Sequence, residues 1–265
     1  SIGRLAEMAS SLADREFPST PVVFNELVNR DSLSTNAVKA RKLLLYAMET
    51  SSNVENLGFE GFPAERGLYE SILKGKIHVL SGNKWVFQMP KDSELEDPMR
   101  LNQLWQVLKD ELGSGQEIVP VEAVYDRWAL PPYGIRLGLM PILLHAMLMA
   151  NRKEIALYRD GVFCTDFKEA YIDEFLAKPK RFGLRTVDAS ADKALKEKFA
   201  TLTETLTEHS ELMIARELVR KVLALPKLIL QTDRLTTTTR LIRDAIKNAN
   251  DPHELINLQL PEIVG

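Results

Sequence analysis

The sequence has one cysteine, four histidines and no basic excess, and each shortage excludes a class of protein. Cys164 has no second cysteine for an internal disulfide, which excludes a disulfide-built secreted scaffold and favours a reducing cytoplasm. The 34 Lys and Arg residues against 37 Asp and Glu residues give a formal net charge of −3. Because proteins that coat nucleic acid carry a basic excess, any such contact here must be local.

Long apolar runs are also lacking. The longest, 137–150, is interrupted by Pro141 and His145 and is shorter than the ~20 residues that span a bilayer. The first residues have no apolar leader core and follow the pattern of a helix entered in mid-sequence. We therefore expect a fragment of a longer cytoplasmic protein without membrane contact.

The motifs of common enzyme sites are missing as well. The sequence contains no Walker-type phosphate loop and no dinucleotide fingerprint. The histidines lack metal-ligand spacing, and Cys164 lies on a predicted strand, where burial would make it unreactive; the histidines are His78, His145, His209 and His253. We expect no catalytic residue, no metal and no other cofactor in this chain. An enzyme with an unrecognised cleft site is the least favoured alternative.

Helical periodicity dominates what is present. Apolar residues recur at helical spacing within 101–112, 195–206 and 218–229, and Pro226 is expected to kink or end the last of these helices. Two β-hairpins are predicted, at 76–87 and 154–165, because Gly-Asn and Asp-Gly turns tolerate positive φ. The predicted fold class is therefore mainly α, with α+β character.

The order of elements in 117–165 is typical of a winged helix. Strand 117–119 is followed by helix 121–129, a turn at 130–134, helix 137–151 and the second hairpin as the wing, with a leading helix at 98–112. An approximate echo precedes it: helices at 21–30, 37–49 and 63–74, then the first hairpin. Thr35 or Asn36 is the predicted N-cap of the helix at 37–49.

After Phe182 the chain is predicted to be wholly helical, with helices at roughly 190–208, 211–231, 234–249 and 252–257. Asp251 followed by Pro252 predicts a capped start for the last helix. The architecture expected is tandem winged-helix-like units with small hairpin wings and a C-terminal helical bundle. The domain ranges are 1–92, 93–187 and 188–265.

Two groups of basic residues are candidates for nucleic-acid binding. One stands at the start of the helix at 37–49, where helix N-termini often hold phosphate, and the other flanks the second hairpin, where cations can clamp a duplex backbone. The groups are Asn36, Lys39, Arg41 and Lys42, and Arg152, Lys153, Arg159, Lys180 and Arg181. Ordinary solvated surface is the alternative for both.

The helix at 137–151 holds the place of a DNA-reading helix, yet it is apolar all round. Base edges and phosphates need donors and cations, so we expect this helix to be buried. The C-terminal helices are rich in basic residues, which form either a partner surface or a solvated face; they are Arg216, Arg220, Lys221, Lys227, Arg234, Arg240 and Arg243.

Three stretches carry a family resemblance. They are 21–30 (PVVFNELVNR) with Leu33 and Ser34, 58–63 (GFEGFP) with 67–71 (GLYES), and 131–136 (PPYGIR) leading to 155–158 (IALY) and Gly161. Their order resembles the non-ATPase portion of large bacterial P-loop ATPases of phage-defence loci, including the bacteriophage-exclusion type. The likeness covers about 20–187, and more weakly 234–265.

The resemblance implies an accessory to a motor or sensor. Winged-helix units would hold DNA or a partner while an ATPase elsewhere in the longer chain changes state, and no catalytic residue carries over to this sequence. The predicted function is therefore a non-catalytic binding and coupling region. Its expected partners are other domains of the same protein or other defence-system proteins, and double-stranded DNA contacted without sequence preference. The alternative is a transcriptional regulator that reads an operator.

Overall fold

The computed structural model describes residues 2–30, 32–91, 97–113, 115, 117–187 and 210–264. Over these residues the protein is mainly helical with small antiparallel sheets, which confirms the predicted mixed α+β class. Within the described ranges, no helix is both long and apolar enough to cross a membrane. The helix predicted at 190–208 and His209 lie outside these ranges.

The chain divides into two compact units, each built from segments that are separate in sequence. Unit 1 contains the described residues up to 111 with 121–150 and 168–179, and unit 2 contains 112–120, 151–167 and the described residues from 180 onward. The three domain ranges predicted from the sequence stay a prediction, because part of the last range is not described.

Unit 1 contains most of the helices and the first hairpin. Its helices are α1 (Ile2–Glu16), α2 (Thr35–Thr50), α3 (Ala64–Ile72), α4 (Leu101–Leu112), α5 (Val121–Ala129), α6 (Met140–Ala150) and α7 (Glu169–Ala177). The hairpin pairs β1 (His78–Ser81) with β2 (Lys84–Phe87) around the predicted turn. Ser34, not Thr35 or Asn36, caps α2, because its Oγ accepts the N–H of Ala37 at 3.2 Å.

Helices α2 and α6 run side by side through the core of unit 1. At one end Arg41 Nη1 lies 3.5 Å from the carbonyl of Leu137, and at the other His145 Nε2 lies 3.2 Å from Glu49 Oε1. From the first contact to the second, the chain advances from 41 to 49 on one side and from 137 to 145 on the other. The two helices therefore run in the same direction. All α6 side chains from Met140 to Met149 are buried, which confirms the predicted burial of this helix.

The helix predicted at 21–30 is wrong. The segment runs extended and then turns, with Val22 N–H donating to the Met99 carbonyl at 3.0 Å. Asn25 Oδ1 accepts the N–H of Leu27 at 3.0 Å, and Asn29 Nδ2 donates to the Val23 carbonyl at 2.8 Å. Asparagine side chains that bond nearby backbone compete with helix formation, and this effect outweighs the helical spacing of the apolar residues.

Unit 2 is organised around a four-stranded antiparallel sheet of order β3-β6-β4-β5, formed by β3 (Val119–Pro120), β4 (Ile155–Arg159), β5 (Val162–Phe163) and β6 (Phe182–Thr186). The second predicted hairpin is confirmed, and Asp160 and Gly161 at its turn have φ values of 50° and 80°. The prediction that the chain is wholly helical after Phe182 is wrong, because β6 pairs with both β4 and β3.

The C-terminal helices pack on this sheet. They are α8 (Glu211–Leu223), α9 (Lys227–Gln231), α10 (Thr237–Lys247), α11 (Pro252–Glu254), a π-helical turn (Leu255–Gln259) and α12 (Leu260–Val264). Tyr158 and Phe163 share a buried cluster with Leu212 and Leu255. Pro226 separates α8 from α9, as predicted, because its ring cannot continue the helix.

Asp251 joins the C-terminal helices to the sheet. Its Oδ1 accepts the N–H of Glu254 at 3.0 Å and so caps α11, as the sequence predicted. Its Oδ2 accepts the hydroxyl of Tyr158 at 2.7 Å and forms an ion pair with Arg185 of β6. The Arg185 guanidinium also lies 5.4 Å from the centre of the Tyr158 ring. Asp251 and Tyr158 are buried in unit 2, and Arg185 is partly buried.

Candidate nucleic-acid interface

A groove of about 1110 Å³ crosses the surface of unit 1. It lies between the end of α1, the segment 17–30 and the turn 129–137 that leads into α6. Two of the stretches that carry the family resemblance, 21–30 and 131–136, therefore line one groove. Its walls include apolar side chains such as Phe17 and Ile135, and most of its charged groups are arginines.

Close backbone approaches bring the two walls together. The N–H of Ser19 donates to the Pro132 carbonyl at 3.1 Å. Gly134 has a φ of 60°, and a Cβ atom there would lie 2.6 Å from the Phe17 ring. At Gly138 a Cβ atom would lie 2.5 Å from the Val28 carbonyl oxygen. Glycine is required at both positions for the segments to meet.

Three arginines and one aspartate line the groove, which makes it locally basic in a chain of net charge −3. Arg100 donates from Nη1 to the Pro18 carbonyl at 2.9 Å, and its backbone φ of 56° is unusual for a residue other than glycine. Arg30 pairs with Glu26 at 3.1 Å, but its side chain is 66% exposed. Arg136 and Asp14 complete the set. Such a surface suits an anionic chain.

In the first predicted group, two residues are exposed to solvent and the others contact neighbouring parts of unit 1. Asn36 and Lys39 are exposed on the outer face of α2. Lys42 binds α7 instead: its Nζ lies 2.9 Å from Asp173 Oδ2 and 3.2 Å from Glu169 Oε1. These contacts raise the pKa of Lys42 above its ordinary value.

Arg41 is buried, with 7% of its surface exposed. It occupies the core stripe of α2, and its contact with Leu137 places this helix behind the groove wall. Burial lowers the pKa of Arg41, a shift that the nearby Tyr125 opposes. Arg41 therefore helps to join α2 to the turn before α6. DNA contact at the exposed residues of this group stays a prediction.

The second predicted group lies at the two ends of β4. Lys180 and Arg181 lie beside Arg159 because β6 begins opposite the end of β4, with Arg159 paired to Phe182. Arg152 and Lys153 precede the other end, roughly 13 Å away along the strand. The structure thus brings three of these residues together and separates the other two.

Several of these cations have structural contacts. Arg181 Nε donates to Asp160 Oδ1 at 3.0 Å and closes the hairpin turn, and this contact lowers the pKa of Asp160. The Arg152 carbonyl accepts a hydrogen bond from Arg216 Nη1 at 2.6 Å. Lys153 and Lys180 have exposed side chains. DNA binding by this group also stays a prediction.

His78 and Cys164 are both buried and have structural contacts. His78 is fully buried, donates from Nε2 to the Ser52 carbonyl at 2.9 Å and accepts from the Tyr69 hydroxyl at 2.8 Å. Burial lowers the pKa of His78, and burial raises the pKa of Cys164 to about 12. The predicted burial of Cys164 is confirmed.

At the C-terminal end, Asn257 Nδ2 donates to the buried Glu211 at 2.9 Å, and His253 Nδ1 lies 3.6 Å from the same carboxylate. The Asn257 contact joins the π-helical turn to α8, and the His253 contact joins α11 to the same helix. Among the residues that the structure describes, no group of three His, Cys, Asp or Glu side chains has the arrangement of a metal site.

Comparisons of the chain with protein-family models, with curated proteins and with solved structures found no match. The geometry and charge of the groove are therefore the basis for a functional proposal.

The sequence reasoning did not single out the groove arginines. Arg30 and Arg136 are the last residues of two stretches that carry the family resemblance, so the sequence shows a basic residue at each of these positions. The hydrogen bond between the two groove walls joins Ser19 to Pro132, which are more than a hundred positions apart in the chain, and no local pattern predicts it. Arg100 stands directly before α4 and has no sequence pattern of its own.

Proposed function

We propose that this chain is a non-catalytic binding and coupling region of a larger cytoplasmic bacterial defence ATPase. The groove of unit 1 contacts the phosphate backbone of double-stranded DNA without reading its sequence, and other surfaces contact domains of the same protein or other defence-system proteins. The observation that carries the proposal is the arginine-lined groove, which is basic although the chain is acidic overall.

The finer architecture belongs to the same proposal. The sheet order supports a winged-helix-like arrangement, because β3, which precedes helices α5 and α6, shares a sheet with β4, which follows them. The proposed wing is the hairpin of β4 and β5, with Asp160 and Gly161 at its turn. The other winged-helix-like segment of the proposal precedes this one in the chain. A helical bundle is proposed for the C-terminal end.

The side chains of α6 favour sequence-independent contact over operator reading. Base readout needs exposed donors and acceptors on the helix that enters the major groove. From Met140 to Met149 the side chains of α6 are buried, so they are not presented to a base edge. Phosphate contact needs only exposed cations, and Lys39 and the groove provide these.

A salt titration of duplex binding tests the proposal. The affinity of the protein for a short labelled duplex is measured by fluorescence anisotropy between about 50 and 200 mM salt. For phosphate-driven binding, the logarithm of the association constant falls linearly with the logarithm of salt, by about 0.9 per phosphate neutralised. Arg30→Gln, Arg136→Gln and Lys39→Gln are each expected to reduce this slope by about one.

Lys42→Gln is the matched control. It removes the same charge from α2 as Lys39→Gln, but Lys42 contacts two carboxylates of another helix and its side chain is only 31% exposed, whereas that of Arg30 is 66% exposed, so the slope should not change. Two duplexes of unrelated sequence should bind equally. Absence of binding at the lowest salt, or an unchanged slope in both groove variants, would refute the proposal. Strong preference for one duplex would instead support operator reading.

A further inference from the structure

A basic surface with exposed leucines covers the end of α8 and α9 in unit 2. The segment 220–231 contains three basic residues and no acidic one. Leu228 is 82% exposed and Leu223 is 51% exposed, and Lys221 and Lys227 are exposed beside them. We call these four residues the leucine surface.

Contacts with α10 hold the leucine surface in place. Arg243 donates from Nη1 to the Thr232 carbonyl at 2.6 Å and approaches the Ile229 carbonyl at 3.5 Å. Pro226 fixes the bend between α8 and α9. The exposed leucines therefore stand on helices, and hydrogen bonds from α10 position the second of these helices.

An acidic surface with an exposed aromatic ring lies in unit 1, in the loop before α3. The segment 54–65 contains three acidic residues and no basic one. Phe62 is 90% exposed and Val54 is 44% exposed, and the side chains of Glu55 and Glu60 are exposed between them. We call these four residues the phenylalanine surface.

Contacts with α3 and its C-terminal end position the phenylalanine surface. Arg66 donates from Nη1 to the Gly61 carbonyl at 2.7 Å, and its guanidinium lies 5.0 Å from the centre of the Phe62 ring. Lys74 Nζ donates to Asn56 Oδ1 at 2.6 Å. Both ends of the loop are thereby tied to residues of this helical segment, so the aromatic ring is presented from a defined position.

We infer that the leucine surface of one molecule docks on the phenylalanine surface of a second copy of this chain. The leucine surface carries two lysines and the phenylalanine surface carries two glutamates, and each combines these charges with large exposed apolar side chains. Nucleic acid or an anionic membrane would satisfy the leucine surface alone and leave the phenylalanine surface without a partner. Because the two surfaces differ, the contact is head-to-tail and forms rings or chains.

Sedimentation equilibrium of the complete chain at low salt tests the inference. The wild type is expected to associate reversibly with rising concentration. Phe62→Ser and Leu228→Ser should each weaken association about 30-fold, as expected for a central apolar anchor. Glu60→Lys and Lys227→Glu should each weaken it at least about tenfold, because each places like charges opposite one another. The combined swap, Glu60→Lys with Lys227→Glu, should restore most of the affinity.

Leu258→Ser is the control, because Leu258 is 59% exposed in the same unit but lies outside the leucine surface; it should leave association unchanged. Circular dichroism establishes that each variant is folded. A monomer at every concentration overturns the inference. Association that is insensitive to both serine variants, or a swap no better than the single reversals, does the same. Binding of wild-type monomer to anionic lipid vesicles without self-association assigns the leucine surface to a membrane and also overturns it.

Discussion

Replacement of Asp251 by alanine is expected to destabilise unit 2 by about 3–5 kcal/mol, the cost of breaking one buried ion pair. Asp251 is 8% exposed, and the side chain of its partner Arg185 is 16% exposed. Alanine leaves the guanidinium buried without its carboxylate, removes the acceptor of the Tyr158 hydroxyl and removes the cap of α11. These losses share one carboxylate, so their individual costs do not add.

Two milder variants separate the components. Asp251→Asn keeps one side-chain oxygen, which can still cap α11, but replaces the oxygen that accepts from Tyr158 and pairs with Arg185 by an NH2 group, and the expected cost is about 1.5–3 kcal/mol. Tyr158→Phe removes one hydrogen bond to a carboxylate that keeps Arg185 and the Glu254 amide, and the expected cost is about 1–2 kcal/mol. The expected order of destabilisation is therefore alanine, asparagine and then the Tyr158 variant.

Hydrogen exchange with peptide-level mass spectrometry is the appropriate assay. Tryptophan fluorescence would follow the other unit, because Trp85, Trp105 and Trp128 all lie in unit 1. Exchange of β4 and β6 amides gives the free energy of opening where the network lies. Glu262→Ala, an exposed carboxylate of the same unit, should change this value by less than about 0.5 kcal/mol. The reasoning is refuted if Asp251→Ala costs less than about 1 kcal/mol or no more than Asp251→Asn.

The same network predicts how the stability of unit 2 changes at acidic pH. Burial alone would raise the pKa of Asp251, but hydrogen bonds from Glu254 and Tyr158 and the ion pair with Arg185 outweigh it and hold this pKa below its ordinary value. The pKa of an aspartate in the unfolded chain is about 3.9. The stabilisation is therefore present above about pH 4 and is lost as the pH falls further through the folded-state pKa. The difference between wild type and Asp251→Asn should shrink in that range.

Two further predictions concern close packing and burial. Gly138→Ala should destabilise unit 1 by about 1–3 kcal/mol in urea unfolding followed by tryptophan fluorescence, because its Cβ would meet the Val28 carbonyl. Gly67→Ala, at a position with open space in α3, should instead be neutral or stabilise by up to about 1 kcal/mol; equal effects of the two would contradict this account. Cys164 should react with iodoacetamide at pH 8 only after unfolding, because burial raises the pKa of the thiol to about 12. Rapid labelling of the native protein would show that this thiol is accessible.

Local chemistry explains the parts of the fold that could be predicted. The hairpin turns were visible in Gly82 and in Asp160-Gly161, and these residues have the positive φ that such turns require. The burial of α6 followed from an apolar sequence with no polar face. In each case a few neighbouring residues determine the outcome.

Long-range pairing explains the parts that could not. Strand β6 is stabilised by β4 and β3, and β3 lies more than sixty residues earlier in the chain, so 182–186 gave no local strand signal. The burial of Arg41 could have been recognised, because it shares the helical stripe of Ala37, Leu44 and Met48. The groove itself depends on the meeting of 17–30 with 129–137, which neither stretch reveals alone.

The chain passes from one unit to the other five times, directly after residues 111, 120, 150, 167 and 179. Neither unit is therefore a continuous stretch that limited proteolysis or simple truncation can release intact. A chain stopped at 150 would lack α7, whose carboxylates bind Lys42 of α2. A chain started at 151 would lack β3, the edge strand of the unit 2 sheet. Separating the two units would therefore require rejoining their pieces with new linkers.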